Sequence, residues 1–374
     1  MAPEPPRGRL ERAAWEGLRD WHADDTTDAL TAFEQGCPVL RTRSEWRDIC
    51  AKATALVATK LDKATAASFF RDQFQPFKVF NADDSSSGIV TGYYEPLLNG
   101  SRKRSATFKY PIYAQPQDLV SVALSDVYAD LKFRRLRGRI VDNKLVPYYD
   151  RAEIESNKTP LKGLEIVWVD NAVELFFLQI QGSGQIQLPD GSRIRLGYAE
   201  QNGHPFRSLG GLLIRRGELR PERASMQGIK AWAARNPRKL QQFMNANPSY
   251  VFFKEIDGGG SGPIGTLGVP LTAERSIAVD PRVIPVGVPV FLSTTYPGSE
   301  QRLNRLVVAQ DTGGAIAGAV RVDFFWGFGD DAGAIAGRMK QRGEKWVLLP
   351  NGYDPSATET PSARISTAPA VTPP

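Results

Sequence analysis

The stretch VRVDFFWGFG, residues 320–329, sets a carboxylate at the end of an apolar run and follows it with aromatics and a glycine turn. Two similar settings lie upstream. SIAVDPRVIPVG (276–287) carries Asp280, and LVVAQDTGGAI (306–316) carries Asp311. A charge at the edge of a core must be solvated, paired or used. One such aspartate fits a structural role. Three of them, Asp280, Asp311 and Asp323, each closing a short β run and each followed by turn chemistry, read as strand ends converging on one site. Carboxylates beside aromatics, in a chain with only 2 His and 2 Cys, point to acid–base work on a sugar.

Working outward, residues 246–350 are short strands rich in Val and Pro: SYVFFKEI, GVPLTAERSIAVDP, VIPVGVPVFLSTTY, NRLVVAQD, GAVRVDFF and KWVLLP. One helix is expected over Ala332–Gln341, capped by Asp330 or Asp331. Upstream, residues 108–245 read as short strands, VELFFLQIQGSG among them, with one helix at about 222–245. Pro189-Asp190-Gly191 marks a hairpin turn. GIVTGYYEP (88–96) is a strand ending in adjacent tyrosines, and the basic, Gly/Ser-containing link 99–107 looks like a boundary. Residues 9–75 read as helices from apolar residues at helical spacing, including Trp15, Leu18 and Trp21. The tail 354–374 is almost entirely Ser, Thr, Pro and Ala, and its composition predicts disorder. With 34 Gly and 27 Pro, the whole is a mixed, strand-dominated fold whose short strands close up as a barrel.

Bulk properties exclude several functions. A net charge of +6 without a basic stripe or recognisable motif argues against nucleic acid and leaves an anionic polymer of another kind open. Two histidines, His22 and His204, are too few for most zinc sites or Ser-His-Asp triads, and His204 in NGHPF reads as a loop residue. No metal and no cofactor is expected. Cys37 and Cys50 fit either a disulfide or two reduced thiols. No run of 18 apolar residues spans a membrane. The N-terminus has neither an apolar signal core nor a lipidation cysteine, so the chain is cytoplasmic or has lost a leader. Without a heptad or large apolar stripe, a monomer is expected.

VTGYYEP, FFLQIQGSG, GYAEQNGHPFRSLG, NPSYVFF, GVPLTAERSIAVDP, AQDTGGAI and VRVDFFWGFGDDAG, in that order over roughly residues 28–350, resemble the membrane-bound lytic murein transglycosylase A family with its C-terminal three-aspartate, or 3D, module. The resemblance implies a double-psi β-barrel (9–105 plus 246–350), interrupted by a smaller β-domain (106–245), with a glycan groove between them. It further implies a periplasmic or cell-envelope enzyme acting on peptidoglycan glycan strands, together with envelope partners it does not name. The implied reaction cleaves the β-1,4 bond between N-acetylmuramic acid (MurNAc) and N-acetylglucosamine (GlcNAc) and leaves 1,6-anhydromuramic acid.

By its place in the motif, Asp323 matches the family's acid/base. The flanking Val322, Phe324, Phe325 and Trp326 are expected to desolvate it and raise its pKa. Asp311, before Thr-Gly-Gly, either positions Asp323 or braces its loop, and Asp280 before Pro281 anchors a barrel turn. Gly313 and Gly314 would admit a saccharide close to the backbone. Tyr93 and Tyr94 alternate faces on their strand, Thr91 shares the Tyr93 face, and Trp326 adds another aromatic surface. Gln179, Gln181 and Ser183, two apart, are expected on one strand face as N-acetyl or hydroxyl contacts. Two other readings remain: a glycoside hydrolase using Asp311 and Asp323 with water, and a non-catalytic expansin-like wall-binding module.

Overall fold

The structure is a computed structural model and describes residues 8–128, 131, 136–256, 262–353 and 355. Apart from Pro355, the tail expected at 354–374 lies outside these residues.

The N-terminal segment begins as a strand, β1 (Gly8–Arg12), paired with the exposed edge of β2 (Phe74–Asn81). Trp15 and Trp21 sit in single 3₁₀ turns. The helical reading of 9–26 is therefore corrected: a free edge strand recruits residues that local spacing assigned to a helix. True helices follow as α1 (Thr27–Leu40), α2 (Ser44–Val57) and α3 (Lys63–Gln73). Their apolar faces bring Phe33, Trp46, Phe69 and Phe70 together with Phe74 of β2 in one aromatic cluster. Cys37 and Cys50 form a disulfide between α1 and α2. Closing so short a loop restricts the unfolded chain by about 2–3 kcal/mol. The Cys37→Ser/Cys50→Ser protein is accordingly expected to melt several degrees lower, as calorimetry would show.

Six strands close into a barrel. They are β3 (Gly88–Glu95), β13 (Ser276–Val279), β14 (Pro289–Thr295), β15 (Arg302–Thr312), β16 (Val322–Phe328) and β17 (Lys340–Pro350). The order is β17-β14-β15-β13-β16-β3, and β3 returns to pair with residues 340–343 of β17. β2 and β1 extend the sheet beyond β17. Period-2 alternation sorts each strand. On β16, Val322, Phe324 and Trp326 enter the main core, while Phe325 joins a separate apolar cluster with Tyr93 and Ala278. Before β17 comes α9 (Gly329–Ala336), which follows directly on Phe328 and has no side-chain cap. The helix expected at Ala332–Gln341 thus starts and ends earlier, because pairing with β3 claims residues from Lys340 onward.

Between β3 and β13 the chain builds a second, six-stranded sheet from β4 (Leu97–Ser101), β5 (Tyr110–Tyr113), β9 (Glu165–Val169), β10 (Ser183–Gln187), β11 (Arg193–Gln201) and β12 (Val251–Glu255). Its order is β12-β11-β10-β4-β9-β5. β12, grouped by its sequence with the strands after 245, pairs with β11. A three-stranded sheet of β6 (Val120–Val122), β7 (Leu136–Val141) and β8 (Lys144–Val146) lies within the same insertion. One helix was expected over 108–245, yet the described residues form five: α4 (Arg151–Ile154), α5 (Ala172–Gln181), α6 (Leu209–Arg215), α7 (Met226–Arg235) and α8 (Pro237–Asn245).

The chief misreading is α5, whose sequence ELFFLQIQ has the composition of a strand. Its ends decide the matter. Asn171 accepts from the backbone N–H groups of Val173 and Glu174, and Gly182 closes the helix at φ +79°, a start and a stop that favour a helix over a strand.

Candidate active site

β13 lies between β15 and β16, and Ala278 is the register partner of both Asp311 and Asp323. Two strand spacings therefore separate the aspartate backbones, about 10 Å, with only a methyl side chain between them. Both aspartates are half-buried. Around them Tyr93, Leu271, Ala278, Ile316 and Phe325 form an apolar layer, in which the Tyr93 and Phe325 rings stand 5.2 Å apart.

The two carboxylates are treated differently. Asp311 Oδ1 accepts from the backbone N–H and the hydroxyl of Thr266, both at 2.9 Å, and Oδ2 accepts from the Tyr93 hydroxyl at 3.2 Å. Burial raises its pKa, against the lowering effect of these donors. Asp323 accepts one hydrogen bond among the described residues, from the Thr91 hydroxyl to Oδ1 at 2.5 Å. Burial pushes its pKa up to about 6; Thr91 and Arg321 oppose the shift and Asp311 adds to it. Tyr93 is held neutral, first by burial and then by the two aspartates, so it acts as a donor.

Thr91, Tyr93 and Glu95 share one face of β3. Strand pairing sets Thr91 opposite Asp323 and Tyr93 opposite Phe325. Gly92, between them, faces the other way, and a Cβ there would lie 2.6 Å from Trp326 Nε1. Gly92→Ala is expected to cost about 1–3 kcal/mol through overpacking and to displace Thr91 and Tyr93. A lower melting temperature together with lower activity would show it.

Glu95 and Arg321 are two members that sequence reading missed. Glu95 is fully buried, accepts from Gln185 Nε2 at 3.0 Å and pairs with Arg195 of β11 at 3.0 Å. It carries the site-facing row of β3 into the second sheet. Its parity with Thr91 and Tyr93 was the available signal. Arg321 likewise shares parity with Asp323.

Other expected contacts lie elsewhere. Trp326 is buried in the main core, with its Nε1 donating to Met339 Sδ at 3.2 Å. Val322 and Phe324 share that side, so the aromatic wall beside Asp323 is Phe325 and Tyr93. Tyr94 is also in the core, its hydroxyl 3.5 Å from Met226 Sδ. Gln179, Gln181 and Ser183 do not share a strand face, because α5 carries the two glutamines. Gln179 is buried and accepts from Arg151 Nη2 at 2.6 Å, whereas Gln181 accepts from the Tyr94 backbone N–H at 3.0 Å. Ser183 begins β10 on the face of Gln185. Asp280 is buried and accepts from Arg282 Nε at 2.7 Å and from the Gly318 N–H at 2.8 Å, which ties down a barrel turn. Gly313 and Gly314 are exposed beyond Asp311, and a Cβ on Gly314 would meet open space. Packing therefore does not require glycine at 314.

Residues 89–254 match the MltA-specific insert domain, and residues 275–349 match the 3D domain. The membrane-bound lytic murein transglycosylase A of Vibrio cholerae is 30% identical over 312 residues, covering 81% of this chain and 74% of the relative. The chain belongs to the membrane-bound lytic murein transglycosylase A family. Among solved members, MltA of Neisseria gonorrhoeae superposes with a TM-score of 0.80 at 38% identity, covering 94% of this chain and 95% of that one. Escherichia coli MltA with bound chitohexaose gives a TM-score of 0.68 at 26% identity, with coverage of 93% and 95%. The barrel with its inserted sheet is thus the family's fold.

Proposed function

We propose that Asp323 alone supplies the acid and then the base with which this lytic transglycosylase cleaves the β-1,4 MurNAc–GlcNAc bond of peptidoglycan. Protonated Asp323 gives its proton to the glycosidic oxygen, which leaves with the bonding electron pair. The resulting carboxylate takes the proton from the muramic C6 hydroxyl as O6 bonds to C1. The acid is regenerated, no water is consumed, and the product ends in 1,6-anhydromuramic acid.

One observation carries this reading: the two carboxylates are unequal. Both oxygens of Asp311 are engaged by Thr266 and Tyr93, which suits a fixed negative charge beside a developing oxocarbenium ion. Among the described residues Asp323 has a single donor, and its pKa lies near that of a working acid. A water-activating partner for a hydrolase would need a freer carboxylate than Asp311. The glycan would run past Thr91 and Tyr93 and the exposed Gly313–Gly314 loop toward the second sheet, where Gln181 and Ser183 begin the far wall. Tyr94, Gln179 and Trp326 are left to the core. An oxidised Cys37–Cys50 pair suits work in the cell envelope.

Mass spectrometry of muropeptides released from purified sacculi tests the reading. Products lighter by one water than hydrolysis products, and resistant to borohydride, are expected. Reducible, hydrated ends would instead make this a two-carboxylate hydrolase, and absence of release would favour a wall-binding module. Because the protonated acid is needed, release is expected to fall as pH rises through about 6; a rate rising through that point would contradict the assignment.

A further inference from the structure

We infer that Arg321 is a positioning residue for this reaction: it fixes the Thr91 hydroxyl as a donor to Oδ1 of Asp323 and so reserves Oδ2 for the transferable proton. The inference rests on the reading of Asp323 as the acid/base.

Hydrogen-bond bookkeeping makes the argument. Arg321 Nη2 donates to Thr91 Oγ1 at 2.7 Å, and Thr91 Oγ1 lies 2.5 Å from Asp323 Oδ1. A guanidinium has donors only, and a threonine hydroxyl has one proton. Thr91 accepts from Arg321 on one of its two lone pairs, and an ionised Asp323 can only accept, so the hydroxyl proton points at Oδ1. With Oδ1 of the carboxylate already taken as an acceptor, the proton returning from the C6 hydroxyl goes to Oδ2, and the regenerated acid gives it from there in the next cycle.

Arg321 is itself held in place. Its Nη1 donates to the Ile89 carbonyl at 3.2 Å and also to the Val322 carbonyl. Its own carbonyl accepts from Lys345 Nζ at 3.3 Å. β3 and β16 thus hold the guanidinium, and β17 holds the backbone of the same residue. The interposed hydroxyl also matters electrostatically, since a guanidinium bonded directly to Asp323 would hold the carboxyl ionised and remove the acid. The other charged or titratable neighbours are Asp311 from β15, Tyr93 from β3, Lys345 from β17, and Asp280 after β13, which acts on Lys345.

The test compares Arg321→Met, Arg321→Lys, Thr91→Val and Thr91→Ser on soluble glycan strands. It measures kcat and KM for anhydro-product release across the pH range, with melting temperatures alongside. Arg321→Met and Thr91→Val are expected to lower kcat about tenfold with KM nearly unchanged. In both, the falling limb should move to higher pH, by about one unit, because the carboxylate loses stabilisation. Arg321→Lys should restore much of the limb position, and Thr91→Ser most of the activity. Wild-type kcat and an unmoved limb in Arg321→Met would overturn the inference, as would an activity loss that follows the melting temperature with the limb unmoved. Turnover retained by Asp323→Asn would instead remove the acid/base reading itself.

Discussion

Asp323→Asn is expected to lower turnover about 10³-fold or more while leaving glycan binding within a small factor. The amide keeps the size of the carboxyl and can still accept from Thr91, but it has no proton to give to the leaving oxygen. Single-turnover assays with a binding measurement on the same strands separate the two effects. The same substitution should stabilise the protein near neutral pH. Burial raises the folded pKa of Asp323 to about 6 from the ordinary 3.8. Between these limits the folded state binds more protons, so its stability falls as pH rises and stays reduced above 6. Relieving that penalty is worth about 1–2 kcal/mol once part exposure is allowed for. Asp323→Asn should therefore melt higher than wild type at pH 7.5 and alike near pH 3.5. An equal melting temperature at both would show that the site stores no such cost.

Lys345→Met is expected to give the largest gain in stability. Lys345 is wholly buried on β17, and its ammonium reaches one backbone carbonyl, that of Arg321. Burial brings its pKa down to about 7 from 10.5, with Asp280 opposing the shift and Arg321 adding to it. Between about 7 and 10.5 the unfolded chain binds the extra proton, so wild-type stability rises with pH across that window. Below it the penalty is complete, at most about 5 kcal/mol. Methionine has a similar shape and no charge to bury. The variant's advantage should thus be several degrees at pH 6 and shrink steadily toward pH 10. A lower melting temperature at pH 6 would mean that the bond to the Arg321 carbonyl outweighs desolvation.

Much of the site was legible because strand parity is a strong signal. Asp323 and Asp311 were placed on strand ends converging on one site, and Thr91 with Tyr93, since residues two apart share a face. The same parity was not applied to Trp326, which lies three positions from Asp323 and so faces the core, nor to Arg321 and Glu95, which lie on the site's side. α5 was lost for another reason. Its Phe and Ile residues favour strands only weakly, and the capping residues Asn171 and Gly182, not the apolar run, determine the outcome. Residues 8–12 were unreadable locally, because β2 makes them a strand.

The insertion point has a consequence for assembly. Thr91 and Asp323 stand 232 positions apart in the chain, and β3 acquires its barrel partners, β16 and β17, only near the C-terminal end. Contacts of such sequence separation are slow to form, because a long loop must close before they are rewarded. An enzyme that cuts the wall thus has no cutting centre while its chain is still being delivered. Any product truncated ahead of Val322 lacks both Asp323, the proposed acid, and the strand that pairs with Thr91.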